Sequence, residues 1–456
     1  MNTAQPPQAM SLVERLRGWL ARAPAPVFGL YGGLMAFGAY FAMYAFRRPF
    51  TVASYADVAP VFVEYKIALV IAQVLGYALS KVAGIKVISE MPPHNRAFAI
   101  LALIGAAEAC LVLFALIPAP WNIACLFANG LALGMIWGLV FGFLEGRRLS
   151  ELLGAMLCAS FIVSSGVVKS AGESVILLHW ANEHWMPAVT GLLFTPLLLV
   201  CVAGLAIMPP PSAEDERLRV ARAPMDGAAR RAMFTTFAPG LIALIVIYVG
   251  LTALRDFRDN FAVEIWNDLG FKDNAEIFTY SELPVAAIVL LVMAALMFIR
   301  NNRTAFLANL ALVGLGLILA GLSSIAFQAH LIGPVTWMIT LGAGLYLGYT
   351  PFNALLFDRF IAASGRTGTA GFLIYVADAS GYISSVALLL FYNFVGMHIS
   401  WVGFLAVISY VTALAGLALT VGAGLYFQRR LTREPADDQI VEPPGYRAPL
   451  RDAGRA

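Results

Sequence analysis

Twelve apolar runs, each more than 20 residues long, constrain the fold of this chain more than any other feature of its sequence. A helix needs about 20 mostly apolar residues to cross the ~30 Å hydrocarbon core of a bilayer. Only 12% of the residues are charged and 60% are hydrophobic, whereas a soluble protein carries about 25% charged residues. These values exclude a soluble enzyme, a fibre and a coiled coil, and they predict an all-α integral membrane protein. The predicted transmembrane spans are 27–56, 64–89, 96–117, 120–146, 151–178, 186–208, 233–258, 280–300, 304–328, 332–361, 368–394 and 399–428.

The polar segment 209–232 divides these runs into two groups of six. It is the longest polar break within the apolar region and falls between the sixth and seventh spans. The sequence therefore predicts two pseudo-symmetric six-helix halves, 1–208 and 233–428, joined by a cytoplasmic linker at 209–232. The tail at 429–456 is charged and rich in proline, and a tail of that composition is expected to be disordered.

The distribution of lysine and arginine predicts the orientation of the chain. If the N-terminus is inside, 22 of the 30 Lys and Arg residues lie in inner segments or at inner helix ends, and the outer loops hold only Lys66 and Lys272. Cytoplasmic loops carry such an excess of positive charge, so both termini are expected in the cytoplasm. Subtracting 22 and 2 from 30 leaves six cations within the apolar runs, which are Arg47, Arg48, Lys81, Lys169, Arg255 and Arg258.

These six cations are the strongest functional signal in the sequence. A charged side chain near the bilayer centre costs about 2.5–3.5 kcal/mol on insertion scales, so each must pair with an acid, reach an interface or face an aqueous cavity. Several belong to polar stripes at helical spacing, and such stripes are expected to face a shared cavity. The stripes are Tyr40, Tyr44 and Arg47; Gln73, Tyr77 and Lys81; Tyr248, Thr252, Arg255 and Asp259; and Tyr375, Asp378 and Tyr382.

Arg47 and Arg255 occupy similar depths in the two halves, because they lie 20 and 22 residues after the starts of their runs at Val27 and Met233. Two halves related by a parallel repeat about an axis along the membrane normal would place them at one level. Planar guanidinium groups in that arrangement can clamp a phosphate or a carboxylate from both sides. We therefore predict that Arg47 and Arg255 are the main anion-binding residues.

Other interpretations of these cations stay open from the sequence. Arg48 and Arg258 lie toward the outer ends of their runs and can reach the interface instead of a cavity. Lys169 and Glu173 are four residues apart on one helix and can simply pair with each other. For these residues the sequence does not separate a structural role from a binding role.

The acids in or next to the same runs allow two further roles. They are Glu108, Glu173, Asp256, Asp259 and Asp378. Asp256, Asp259 or Asp378 could neutralise Arg255 and hold helices together. Asp378, Glu173 or Glu108 could instead carry a proton and couple its movement to that of a substrate.

Short segments in both halves resemble motifs of the major facilitator superfamily, most closely those of its organophosphate:phosphate antiporters. They are YAFRRPF (44–50), YALSK (77–81), NGLALGMIW (129–137), LTALRD (251–256), GYTPF (348–352) and GTAGF (368–372). The resemblance implies the twelve-helix fold of that superfamily. It also places Arg47 and Arg255 on the antiporters' two phosphate-binding arginines, Lys81 on a functional lysine and Arg48 on a neighbouring basic residue.

The chain also departs from the antiporter pattern. The loop after the second span has Glu90 and a longer gap before Arg96 than the superfamily motif, and the fifth span has Lys169 in place of a histidine. Asp378 and the segment RDFRDNF (255–261) are also unlike the antiporters. The combination of FRRPF, KVISEMPP, FLEGRR and RDFRDNF is similar instead to an uncharacterised bacterial group on the same scaffold. The resemblance therefore predicts the fold, but it does not predict the substrate.

Several other functions lack a sequence signal. The chain has no GxxxxGK[ST] loop for a nucleotide and no basic cluster interleaved with aromatics for nucleic acid. Its 4 cysteines and 5 histidines have no metal-ligand spacing, so we expect no metal and no cofactor. Glycines recur every four residues in the fourth run, which predicts a face packed closely on a neighbouring helix; they are Gly130, Gly134, Gly138 and Gly142.

The function predicted from the sequence is secondary active transport of a small organic anion, with a phosphorylated anion favoured, by alternating access around a central cavity. We expect a monomer in a bacterial inner membrane, and no enzyme because no nucleophile, base and orienting group occur together. The alternatives are a proton-coupled organic-anion symporter and a transporter-like membrane sensor. The predicted binding residues are Arg47, Arg255, Lys81, Lys169, Arg258, Tyr40, Tyr44, Tyr349 and Tyr375.

Overall fold

The computed structural model describes residues 11–144, 150–210, 227–296, 298–365, 370–396 and 399–431. Within them the chain is helical almost throughout, and short turns connect the helices. The α-helices are α1 (Leu12–Arg22), α2 (Ala25–Met43), α3 (Tyr65–Glu90), α4 (Arg96–Leu116), α5 (Ile123–Leu133), α6 (Ile136–Leu144), α7 (Ser150–Leu177), α8 (Met186–Ile207), α9 (Gly227–Asn260), α10 (Ala262–Asp268), α11 (Glu276–Leu296), α12 (Asn302–Gln328), α13 (Pro334–Ala354), α14 (Leu356–Ser364), α15 (Ala370–Phe391) and α16 (Trp401–Arg430). Three 3-10 turns (Tyr44–Phe46, Pro49–Thr51 and Pro93–Asn95) and a π-helical turn (Tyr392–Gly396) complete the elements.

The helices follow the apolar runs closely. Ten segments of the described chain are long and apolar enough to cross a membrane. The two remaining predicted positions are filled by α13 with α14 and by α15. The molecule is therefore a multi-pass, all-α membrane protein, and its helices are consistent with two halves of six spans.

Successive spans run in opposite directions, so the helix bundle has two ends. We call the end that carries the start of α2 and the end of α16 the near face, and the opposite end the far face. Helix α1 lies at the near face, where Ser11 and Glu14 cap its first turn reciprocally. The Arg17 guanidinium donates to the carbonyl oxygen of Ala206 at 3.2 Å and thereby ties α1 to the end of α8.

Within the described residues, three of the predicted spans are divided between separate helices or turns, and the run 233–258 has a kink at Phe237, where the backbone is not helical. The run 27–56 is α-helical only to Met43 and continues as 3-10 turns. The run 120–146 breaks between α5 and α6 beside Gly134, and the run 332–361 breaks at Leu355, after Pro351. Breaks free backbone carbonyl and N–H groups inside the membrane, which is tolerated where other protein groups satisfy them or where they line a cavity.

Glycines let α3 and α5 pack with their backbones in contact. A Cβ atom added at Gly130 would lie 2.2 Å from the carbonyl oxygen of Gln73, and one added at Gly76 would lie 2.0 Å from that of Phe127. Gly134 faces the carbonyl of Tyr77 in the same way. The spacing of glycines in the fourth run thus marks a close-packing face, although Gly142 lies against the Arg96 guanidinium rather than against a backbone.

Gly130→Ala is expected to destabilise the protein substantially. The new methyl group would meet backbone atoms, which cannot move aside as a side-chain tip can, and overpacking of this kind costs about 1–3 kcal/mol. Thermal unfolding of the purified protein in detergent measures the effect. Gly105→Ala is the matched control, because a Cβ at Gly105 has nothing within 4 Å. Equal unfolding temperatures for the two variants would show that the α3–α5 contact is looser than described.

Some sequence predictions fall outside the described residues. They concern residues 145–148 of the segment FLEGRR, residues 211–226 of the predicted linker, and the tail from 432 onward. Tyr375 lies on α15, but its side chain is also outside the described part of the chain. The boundaries of the two halves and of the linker stay predictions.

Candidate functional site

Arg47 lies just beyond the end of α2, buried in the middle of the bundle. The carbon atom at the centre of its guanidinium lies 3.9 Å from the ring centroid of Tyr77 and 5.7 Å from that of Tyr44. Tyr77 is at the middle of α3, so Arg47 is at mid-depth. Its Nε atom has no hydrogen-bond partner, and none of the ion pairs formed by the described residues includes it. The result is a stacked cation that forms no ion pair with an acid of the described residues.

Arg255, the predicted counterpart of Arg47, has a similar stacking partner but a different charge environment. The carbon atom at the centre of its guanidinium lies 4.0 Å from the ring centroid of Tyr349. Its Nε and Nη2 atoms donate to one carboxylate oxygen of Asp256 at 3.2 and 2.7 Å. The Ser385 hydroxyl on α15 donates to the other oxygen at 2.7 Å. Of the three acids that could neutralise Arg255, Asp256 is the one that does.

Lys81 forms an ion pair with Asp378, which joins α3 of the first half to α15 of the second. The Tyr248 hydroxyl donates to the same carboxylate and lies 3.0 Å from the hydroxyl of Tyr349. Three polar stripes, from the second, seventh and eleventh runs, therefore meet at one place between the halves. This acidic partner of Lys81 is 297 residues away in the sequence, which is why the run around Lys81 contains no sign of it.

A second cluster lies closer to the far face, and we call it the Asp259 lock. One carboxylate oxygen of Asp259 lies 2.7 Å from Arg48 Nη2. The other accepts from the ammonium of Lys169 and from the hydroxyl of Ser165, and Arg48 also donates to the Asn260 side chain. One acid on α9 thus holds two cations of the first half. Lys169 pairs with Asp259 across the halves rather than with Glu173 on its own helix.

The two cations at run ends that could have reached the interface are buried instead. Arg48 is 4% exposed and Arg258 is 3% exposed. Arg258 pairs with Glu282 on α11 at 2.8 Å and donates to the carbonyl oxygen of Met338 at 3.0 Å. Both arginines therefore belong to the packed interior of the bundle.

Lys66 corrects the placement of an outer-loop cation. The sequence predicted a solvated loop position, but Lys66 is the second residue of α3 and only 2% exposed. Its ammonium pairs with Glu264 on α10, a short helix from the other half. The far-face segment after α9 therefore covers the start of α3. Glu264 is 198 residues from Lys66, so the residues around Lys66 give no sign of this contact.

The remaining predicted residues divide into two groups. Tyr40 and Tyr44 extend the aromatic surface around Arg47, since the Tyr40 hydroxyl is 3.4 Å from that of Tyr77 and the rings of Tyr40 and Tyr44 meet edge to face at 5.5 Å. Glu108 lies on α4, where both carboxylate oxygens are buried without a hydrogen-bond partner among the described residues. Glu173 is half-buried toward the far end of α7. Neither acid contacts Arg47.

Several polar residues that were not predicted from the sequence also belong to these clusters. They are Asn129, Asn260, Glu264, Glu282 and Ser385. Two of them did carry a signal, because Asn129 and Glu282 each place a strongly polar side chain inside an apolar run. The other three lie at helix ends or resemble ordinary small polar residues, and only their tertiary contacts distinguish them.

The charges of the six intramembrane cations can now be compared. Five of them form ion pairs: Arg48 and Lys169 with Asp259, Lys81 with Asp378, Arg255 with Asp256, and Arg258 with Glu282. Arg47 has no such pair within the described chain. A buried, uncompensated guanidinium whose ring-stacked face leaves its N–H edges available is suited to bind a carboxylate or phosphate oxygen pair. No group of three or more metal-ligating side chains occurs among the described residues.

Comparison with solved structures identifies the fold. The chain aligns with the peptide transporter POT in complex with sulfate at a TM-score of 0.55 and 14% identity, over 88% of this chain and 96% of that one. It aligns with a bacterial homolog of the human lysosomal transporter Spinster, inward-facing and unoccupied, at a TM-score of 0.55 and 13% identity, over 90% and 98%. These similarities establish the major facilitator superfamily fold. No curated protein matches the chain. A model for a family of unknown function, DUF5690, matches residues 49–430.

Proposed function

We propose that this chain, which belongs to the family of unknown function DUF5690, is a secondary transporter that moves a small organic anion by alternating access. The observation that carries the proposal is Arg47, the one intramembrane cation of the six that lacks an acidic partner in the described chain. A buried charge without a counter-ion is costly. Its cost is offset when an anion binds, so the binding of substrate and the stability of the site are coupled.

The surroundings of Arg47 indicate how the anion is held. Tyr77 covers one face of the guanidinium, and Tyr44 lies beside it, so the N–H edges stay free for a planar or tetrahedral oxyanion. In the proposal Arg255 contacts the anion from the second half. Its hydrogen bonds to Asp256 use the Nε and Nη2 atoms and leave Nη1 for the anion. Lys81, Tyr40 and Tyr349 complete the site. The resemblance of segment 44–50 to the antiporters favours a phosphorylated anion.

The contacts between the halves support alternating access. At the far face, the Asp259 lock and the pair of Lys66 with Glu264 join the two halves. The lock therefore closes the far face in this conformation, and opening that face requires these ion pairs to separate. Arg47 and Arg48 are adjacent in sequence, so the anion site and the lock share one segment. In the proposal the near face is cytoplasmic, both termini are inside, and the protein acts as a monomer in a bacterial inner membrane.

A second candidate, proton-coupled symport, is favoured by the pair of Lys81 with Asp378. This pair also joins the two halves, and a proton on Asp378 would release Lys81 and let α3 and α15 separate. Anion exchange and proton symport differ in what drives uptake. A pH gradient across proteoliposomes would accelerate uptake in a symporter and leave strict exchange unchanged.

The test is a binding screen on the purified protein. Thermal unfolding is followed with inorganic phosphate, glycerol phosphate, hexose phosphates, succinate and lactate. We expect at least one of these anions to raise the unfolding temperature in a saturable way, whereas chloride at the same ionic strength does not. If no anion in the panel stabilises the protein, the proposal of an anion site at Arg47 is wrong. Binding without flux would instead favour the transporter-like sensor.

A further inference from the structure

The chain segment that carries Arg47 is an interrupted helix end whose carbonyl groups need partners. Helix α2 ends at Met43, and the N–H groups of Arg47 and Arg48 both donate to the carbonyl of Tyr44. Pro49 has no N–H to donate, and the N–H of Thr51 donates to the carbonyl of Arg48. The carbonyl oxygens of Phe46 and Arg47 are thus left pointing away from the local backbone ladder. Inside a membrane such groups must be satisfied by other parts of the protein.

Two buried side-chain amides satisfy these carbonyls. The Asn129 amide on α5 donates to the carbonyl oxygen of Phe46 at 3.1 Å, and also to that of Ala107 at 3.1 Å. The Gln73 amide on α3 donates to the carbonyl oxygen of Arg47 at 3.0 Å and to the Asn129 side-chain oxygen at 2.9 Å. Asn129 is 0% exposed and Gln73 is 3% exposed. The two amides therefore bind the carbonyls of two successive peptide units, Phe46–Arg47 and Arg47–Arg48, which lie on either side of the Arg47 Cα atom.

The amides are themselves held by the glycine contact between α3 and α5. A Cβ at Gly130, the residue after Asn129, would collide with the backbone of Gln73. The two helices can approach no closer, so the relative position of the two amides is fixed by backbone contact rather than by flexible side chains. A rigid support of this kind holds a binding group more accurately than the loop alone can.

We infer that Gln73 and Asn129 are positioning residues. By binding the carbonyls of Arg47 and Phe46, they hold the Arg47 guanidinium where it binds the anion. The inference rests on the proposed function of Arg47. Both amides donate to backbone carbonyls of this segment, so their effect on anion binding passes through the backbone of residues 44–51. Residues 44–51 contain two 3-10 turns and no continuous helix. If the two amides are removed, this segment loses its hydrogen bonds to α3 and α5.

The test compares Asn129→Leu with Asn122→Leu. Asn122 is a matched control because it is also 0% exposed and directly precedes the same helix α5. Its side chain accepts from the Tyr65 hydroxyl at 2.7 Å and donates to the Phe114 carbonyl, so its hydrogen bonds go to residues outside 44–51. Gln73→Met is the second variant, in case Asn129→Leu does not fold. Two quantities are measured: deuterium uptake of peptides covering 44–52, and the apparent affinity for inorganic phosphate, glycerol phosphate and succinate by thermal shift.

We expect Asn129→Leu and Gln73→Met to increase deuterium uptake in 44–52 at least tenfold and to weaken the best-bound of the three anions at least tenfold. Asn122→Leu should change neither quantity, even if it lowers the unfolding temperature as much. Unchanged deuterium uptake and unchanged anion affinity in both test variants would overturn the inference. The two amides would then contribute only to the packing of α3 against α5. If the parent binds no anion of the full panel named above, the proposed function fails, and the uptake comparison still decides whether the amides hold the segment.

Discussion

Replacing Arg47 by alanine is expected to reduce anion transport by a factor of about 30 or more. Removing one partner of a buried, hydrogen-bonded charge pair costs about 2–5 kcal/mol, and each 1.4 kcal/mol is about a factor of ten in affinity. Arg47→Lys keeps the charge but loses the planar fork and the stacking on Tyr77, so it should be intermediate. Initial uptake rates in proteoliposomes measure the effect. Arg15, exposed on α1, provides the control Arg15→Ala, which should transport like the parent.

Replacing Arg47 by methionine, which is similar in length but uncharged, is expected to preserve the stability of the protein. Because Arg47 is buried without an acidic partner in the described chain, Arg47→Met removes an uncompensated charge and should leave the unfolding temperature of the anion-free protein equal or higher. Loss of transport together with an unchanged unfolding temperature would indicate that Arg47 serves function rather than stability. A clear fall in unfolding temperature together with the loss of transport would indicate that Arg47 has a structural role instead.

Asp259→Asn is expected to open the far face. The substitution leaves Arg48 and Lys169 buried without their shared counter-charge, and breaking a buried ion pair by removing one partner costs about 3–5 kcal/mol. Only the conformation in which the halves meet at the far face bears this cost. The equilibrium should therefore shift toward conformations in which the far face is open.

Spin-label distances can measure this shift. Trp121 and Leu331 are exposed far-face positions, 76% and 77% accessible, in opposite halves, so labels there report the width of the far face. The four native cysteines, Cys110, Cys125, Cys158 and Cys201, are free and need replacement first. We expect the 121–331 distance distribution to gain a longer component in Asp259→Asn but not in Asp273→Asn, an exposed far-face control. Identical distributions would mean that the Asp259 lock does not hold the halves together.

The fold was predictable from the sequence because the membrane makes span length and apolarity nearly sufficient. Most runs coincide with one helix, as α3 and α8 illustrate, and the positions of the spans required no tertiary information. The interruptions at Met43, Gly134 and Leu355 were not predicted. Each depends on hydrogen bonds that neighbouring helices make to the freed backbone groups. An apolar run has the same composition whether its helix is continuous or broken.

The candidate site was predictable in part, for a related reason. Stripes such as Tyr40, Tyr44 and Arg47 depend on local spacing, and their members do lie together. The partners of the charges could not be predicted, because Lys81 with Asp378, Lys169 with Asp259, and Lys66 with Glu264 pair across the two halves. Which cation is left without an acid is a property of the whole arrangement. The sequence indicated that Asp256, Asp259 or Asp378 could neutralise Arg255 and offered no nearby acid for Arg47, and the structure identifies Asp256 as the partner of Arg255.

The most direct measurement of the central claim is anion exchange in proteoliposomes that contain either the parent protein or Arg47→Ala. Uptake of radiolabelled phosphate, glycerol phosphate and succinate is followed with and without the same unlabelled anion inside. We expect the parent to take up at least one of them, faster when the anion is also inside, and Arg47→Ala to take up none. Equal uptake by both proteins, or no uptake of any anion by the parent, would contradict this claim.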